Sequence, residues 1–280
     1  MGYVRYRLED GSSATATGWD GWAADYARLG EANPVYALSK ELLATMVDEV
    51  VPPPAPAREA WVLDFHCGAG DDLARFLARG WHAAGCDGST GMLQAAAARS
   101  ATDLRRGRVE LWQGAAEEIQ ADSFGGRRFD LVFSTTGGFA YLDDDAFVAV
   151  HRVLAEMLTP GGAMVIAHLT PFCAAESLYH LLRLSPRLVA KRWAGRVPIE
   201  VRGQPMEMRL RSSNEVRRLL AGVVRIERMA PLLVWTPPFQ SGFRPTAPVA
   251  VVLAALERMT VHADRLAAIA DQVVCVARPL

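Results

Sequence analysis

From residue 61 onward the apolar positions fall into short runs separated by helical stripes. WVLDF at 61–65, HAAGC at 82–86, the stretch 109–112, FDLVFS at 129–134 and AMVIAH at 163–168 are apolar runs of strand length. Runs such as LVF and MVI fit strands buried on both faces. Between them, 71–79, 92–99 and 144–158 carry apolar residues at helical spacing, and Pro160-Gly161-Gly162 reads as a tight turn into the last strand. Strand and helix in alternation predict right-handed crossovers and a mostly parallel, doubly wound α/β sheet.

Upstream, Trp22, Ala23, Tyr26 and Leu29 give helical spacing to 19–29, and a second amphipathic helix is predicted over 34–50. Pro52, Pro53, Pro54 and Pro56 make 51–58 a stiff extended link. Downstream, 174–194 reads as helix broken near Pro186, and 197–210 as a hairpin about Gly203. Ser212 fits a helix N-cap, with Glu215 completing a capping box. Closing strands fit 223–228 and 272–276, with 247–271 mostly helical. The expected organisation is a flexible arm (1–17), a helical lid and proline linker (18–58), a sheet core (59–170), and a cap with closing strands of the same domain (171–280).

Composition narrows the function classes. A chain of 280 residues that is 51% hydrophobic can bury the core of one large domain. A net charge of −1 argues against nucleic acid or a membrane surface as the main partner. Cys67, Cys86, Cys173 and Cys275 are scattered without a C-x-x-C pair, as expected of reduced thiols in a cytoplasmic protein. The N-terminus lacks the apolar core of a signal peptide, and the longest apolar run, near 247–256, is too short to span a bilayer. The expected partner is a small-molecule substrate, and the expected state a monomer or homodimer. Only Lys40 and Lys191 are lysines, which reads as compositional bias.

The candidate chemistry centres on WVLDFHCGAGDD at 61–72. A strand runs into a turn at Gly68 and Gly70, and a helix starts near Asp71. Glycines suit a turn where a ligand lies on bare backbone, and the following helix offers unpaired N–H groups. Asp64 puts a carboxylate beside the turn, which suits an ammonium-bearing ligand better than a pyrophosphate. With GCDGSTGML after the second strand, FDLVFSTTGGFAYL at the fourth and LTPGGAMVIAHL at the fifth, this region resembles the class I S-adenosylmethionine (SAM)-dependent methyltransferases, closest to those acting on small molecules in bacteria. The likeness covers about 60–170, each motif lying at a strand's C-terminal edge, where open α/β sheets bind ligands.

The resemblance implies a Rossmann-like, seven-stranded sheet and a set of roles. Asp64, Gly68 and Gly70 would line the methionine part of SAM. Asp87 would accept both ribose hydroxyls. Gly88 and Met92 would flank the adenine, and Ala115, Ala116 and Glu117 would border it. Where the family often has an acid, Ala115 stands, leaving a backbone contact or Glu117 to serve the adenine amino group. Ser134 and Thr135 would contact the methionine part from below, and Tyr26 and Tyr36 would close over the cofactor. His66 stands where the family has glycine. It either points away into the sheet, or bonds the cofactor carboxylate or sits near the substrate.

His168, ending the fifth strand, is the expected general base, with its alternative a histidine satisfied at a strand end. Tyr141, in the loop after the fourth strand, and His151 are lesser candidates. A nicotinamide site is disfavoured because Leu73 occupies the third glycine position of G-x-G-x-x-G. Asp143-Asp144-Asp145 reads as N-cap and first-turn charge, not a metal cluster. Ten basic residues over 183–218 against three acids suggest either an anionic partner or a solvated face. The expected activity is in-line methyl transfer to a hydroxyl, amine or activated carbon. The alternatives are a different reaction on the same cofactor, or a non-catalytic interaction protein.

Overall fold

The computed structural model describes residues 4–5, 19–20, 33–55, 58–135, 137–201 and 204–280. Tyr26, Gly203 and most of the arm and first lid helix lie outside them.

Helix α1 (Pro34–Val50) starts where Asn33 accepts hydrogen bonds from the N–H groups of Val35 and Tyr36, with Pro34 in its first turn. Strands β1 (Val4–Arg5), β2 (Trp61–Phe65), β3 (His82–Asp87), β4 (Val109–Gln113), β5 (Phe129–Ser134) and β6 (Leu158–Leu169) alternate from β2 onward with α2 (Asp71–Ala78), α3 (Thr90–Arg99), α4 (Ala101–Arg105) and α5 (Asp144–Glu156). A cap follows: α6 (Ala174–Leu182), α7 (Pro186–Val189), the hairpin β7 (Arg196–Val201) and β8 (Gln204–Arg209), and α8 (Ser213–Leu220). Strands β9 (Val224–Leu232) and β10 (Gln272–Pro279) close the sheet around α9 (Ala247–Thr260).

The sheet order is β1-β4-β3-β2-β5-β6-β10-β9. Neighbours from β1 to β6 pair parallel, while β10 runs antiparallel to both β6 and β9. The seven expected strands form, and β1 adds an eighth at the edge, pairing Val4 with Leu111 and Arg5 with Trp112. That strand comes from the segment expected to be a loose arm. The strand order reverses between β2 and β5, so a crevice opens at their C-terminal ends. Every residue of β2 and of β5 is buried, because α1, α2 and α3 pack on one face and α5 and α8 on the other.

Local differences have local causes. The Pro160-Gly161-Gly162 turn lies inside β6, where pairing jumps from Phe129↔Leu158 to Leu131↔Ala163 and Gly161 takes φ +84°. Pro186 restarts the helix expected over 174–194 as α7, because proline lacks the N–H needed to continue α6. Ser212 caps α8 and Glu215 returns a bond to the Ser212 N–H at 2.8 Å, completing the expected box. Four of the ten basic residues over 183–218 are tied in ion pairs: Lys191 and Arg192 to buried Glu176, Arg196 to Glu207, Arg211 to Asp144.

Helix α5 seals the second face of the core through Phe147, Val150 and Leu154. Leu154→Ala, at a side chain with no exposure, is expected to lower stability by about 2–5 kcal/mol through the cavity it leaves. Urea unfolding of the two proteins measures it.

Candidate functional site

The crevice at the switch point is built from the ends of β2, β3, β4 and β5, and α1 covers one side. The non-atom space within it, open solvent at its mouth included, is about 1120 Å³. Its floor is the turn after β2, where Gly68 and Gly70 have φ of +52° and +78°. Asp87, at the end of β3, accepts from the Gly68 N–H and the Ser89 N–H, both at 2.9 Å. Two backbone bonds thus fix the carboxylate at the crevice while each oxygen keeps a lone pair for a ligand. Burial raises the Asp87 pKa, and the Ser89 and Gly68 N–H groups oppose the shift. Ser89 caps α3 through the Met92 N–H, and Asp20 accepts from the Ser89 hydroxyl and the Gly91 N–H. That pair of bonds fastens Asp20 at this end of the crevice.

Charge is the second feature. Asp71, Asp72, Asp87 and Glu117 line the crevice, against Lys40. The Lys40 ammonium is buried, pairs with Asp72 and donates to Thr135 Oγ1 at 2.8 Å, and the Thr135 hydroxyl donates to Asp72 at 3.2 Å. Asp71 pairs with Arg99 at 3.0 Å and accepts from the Tyr36 hydroxyl at 3.3 Å. Beneath them Asp64 is buried, with Oδ2 lacking a hydrogen-bond partner. Burial pushes its pKa well above the carboxylate range, Asp72 adds to the shift and Lys40 opposes it. A floor with an unpartnered carboxylate oxygen under an acid-lined wall suits a ligand that brings positive charge. The sulfonium and ammonium of SAM meet that requirement; a pyrophosphate does not.

Of the residues expected from sequence, His66, Gly68, Asp87, Gly88, Met92, Ala115, Ala116, Glu117, Thr135, Tyr36 and Tyr141 all line the crevice. Tyr141 packs edge-on to Trp19, ring centroids 6.4 Å apart, and burial raises its hydroxyl pKa. Glu118, not Glu117, folds back onto the Ala115 N–H at 3.0 Å, so that backbone donor is taken. Four expected residues do not line the crevice. Asp64 lies beneath it. Gly70 packs on α3, where a Cβ would sit 3.0 Å from the Ala96 Cβ. Ser134 is buried one residue short of the opening, and its neighbour Thr135 takes the place.

His168 is the main correction. The strand carries it onto the face that α5 covers, where it packs against Phe139, Phe147 and His151 with ring centroids 5.4–5.7 Å apart. It is buried and pairs in register with Val273, and burial and His151 hold its pKa well below the usual value. A ring shut behind Phe139 is not a base for a reaction in the crevice. Asp143 accepts from the Ala146 N–H at 2.9 Å as an N-cap, and Asp144 pairs with Arg211.

Sequence reasoning missed Lys40, Asp71, Asp72, Trp19 and Asp20. Lys40 carried a signal: it lies four residues after Tyr36 on the apolar stripe of α1, where a lysine is out of place unless paired.

Residues 62–162 match the family model for a methyltransferase domain. No curated protein matches the chain. Several solved structures share its fold. The DhpI complex with S-adenosyl-L-homocysteine (SAH) has 15% identity over 95% of each chain and a TM-score of 0.55. The CcbJ methyltransferase from Streptomyces caelestis has 17% identity over 87% of this chain and 96% of its own, at 0.55. The glycopeptide N-methyltransferase MtfA with bound SAH has 19% identity over 86% of this chain and 89% of its own, at 0.54.

The raised pKa of Asp64 gives a pH test. Between the unfolded value of about 4 and the folded value, the native protein keeps a proton that the unfolded chain releases. Wild-type stability therefore falls as pH rises through that window. Asp64→Asn removes the loss, so the ligand-free variant is expected to be more stable than wild type at pH 8, with the gap closing toward pH 4. Urea melts at the two pH values read it.

Proposed function

We propose, from the match of residues 62–162 to a methyltransferase domain, that this chain is a SAM-dependent enzyme that methylates a small molecule by in-line displacement. The observation that carries the reading is the crevice itself: acid-lined, at the switch point, with Asp87 pinned by two backbone N–H groups. Asp87 would take the ribose hydroxyls, and the turn at Gly68 would receive the methionine part over Asp64. Ala115, Ala116 and Glu117 would border the adenine with Gly88 and Met92. Lys40, already bonded to Asp72 and Thr135, would meet the ligand carboxylate.

SAM supplies an activated methyl group when bound. The chain's own task is alignment and exclusion of water, which can account for ~7–11 kcal/mol of a barrier. Tyr36 and Trp19 wall the crevice, and Tyr36 is held by Phe239 at 5.6 Å between centroids. The crevice volume and the absence of net positive charge support a small acceptor over a nucleic acid. The fold shared with a glycopeptide N-methyltransferase supports a secondary metabolite. Four free, buried cysteines support a reducing, cytoplasmic setting, and among the described residues no helix is long and apolar enough to cross a membrane.

Calorimetry with SAM and SAH tests the donor, and methyl-labelled SAM with a panel of small acceptors tests transfer. Asp87→Ala should weaken SAM binding at least tenfold while the unfolding transition stays in place. Unchanged affinity would remove the ribose assignment.

A further inference from the structure

Residue 66 departs from the pattern that the rest of its turn keeps. Its φ is +62°, in the left-handed region with Gly68 and Gly70, yet it carries an imidazole. A glycine would sit there without strain, and strain of this kind persists where the surroundings fix it. The surroundings do so here. Gly138 leaves the space the ring fills, since a Cβ at 138 would lie 2.4 Å from His66 Cγ and Nδ1. Phe65 and Phe139 hold the ring edge-on, centroids 4.3 and 5.2 Å away. Nδ1 is buried without a partner, so packing, not hydrogen bonding, fixes the ring in the crevice wall. It does not turn away into the sheet.

The other groups at the crevice are committed elsewhere. Asp71 pairs with Arg99, Asp72 with Lys40, and Asp87 with two N–H groups. Glu117 stands after β4, at the far end from His66, and the Tyr141 pKa is raised by burial. His151 and His168 pack behind Phe139.

Resting on the methyl-transfer reading, we propose that His66 is the catalytic base and that the acceptor atom is a hydroxyl oxygen. The oxygen lone pair forms the new C–O bond as the methyl carbon–sulfur bond breaks, the electron pair of that bond goes to sulfur, and the hydroxyl proton passes to the imidazole. One positive charge leaves sulfur and one appears on the ring. The net charge of the site is unchanged. Burial and His151 lower the pKa of the ring to about 3, so it would meet the acceptor neutral. That weak base suffices, because a hydroxyl taking on a methyl group becomes a much stronger acid than any imidazolium. A methylated amine keeps its proton and has no need of the ring.

The test compares wild type, His66→Gly and His66→Gln with methyl-labelled SAM against matched sets of alcohols, phenols and amines. Wild type is expected to label hydroxyl acceptors. His66→Gly should lose ~10²–10⁴-fold in kcat, while its SAH affinity by calorimetry stays within threefold and its Tm is equal or higher. Added imidazole should restore part of the rate to the Gly variant and none to the Gln variant. Full activity in His66→Gly, a parallel loss of SAH affinity, or label on nitrogen overturns the proposal and leaves methyl transfer standing. Wild type that labels neither set overturns it too, and the heat of SAM binding in that sample then decides whether the donor assignment survives.

Discussion

The site depends on carboxylates gathered at one edge of a parallel sheet with a single buried ammonium among them. Asp64, Asp72 and Lys40 come from β2, α2 and α1, three elements that meet only because the sheet is wound in this order. Burying the acids raises the cost of their charge, and Lys40 and the N–H groups of the turn return part of it. The remainder is an excess of negative field in a space open to ligand. A ligand that brings net positive charge would relieve what the fold has left unbalanced.

The core of the fold was legible in sequence because its strands are buried on both faces and read as apolar runs, with glycine turns at their ends. Asp87, Gly88, Met92 and Thr135 were placed by the same logic, since strand ends fix where side chains emerge. The failures have one cause. At Ser134 and His168, closeness to a strand end was taken as facing the crevice, but side chains alternate across a strand and these two fall on the face that α5 covers. Lys40, Trp19 and Asp20 come from outside the sheet, and only the packing of the N-terminal segment brings them to the site. No local pattern in the chain encodes that approach.

His66 and Gly138 show a different limit. In sequence they are unconnected: a histidine in a glycine turn, and a glycine 72 residues later. Together they are one shape, the imidazole occupying the space that a Cβ at 138 would need. The departure at 66 is visible in sequence, but its compensation is visible only in three dimensions.

The ion pair of Lys40 with Asp72 also bears on how ligands come and go. Moving α1 away from the sheet would break that buried pair, which costs more than parting exposed groups. Asp20, by contrast, is held to the start of α3 by two hydrogen bonds at a half-buried edge, which water can replace. Any opening of this side of the crevice would therefore part the Asp20 bonds before the Lys40–Asp72 pair, because water replaces the first and not the second.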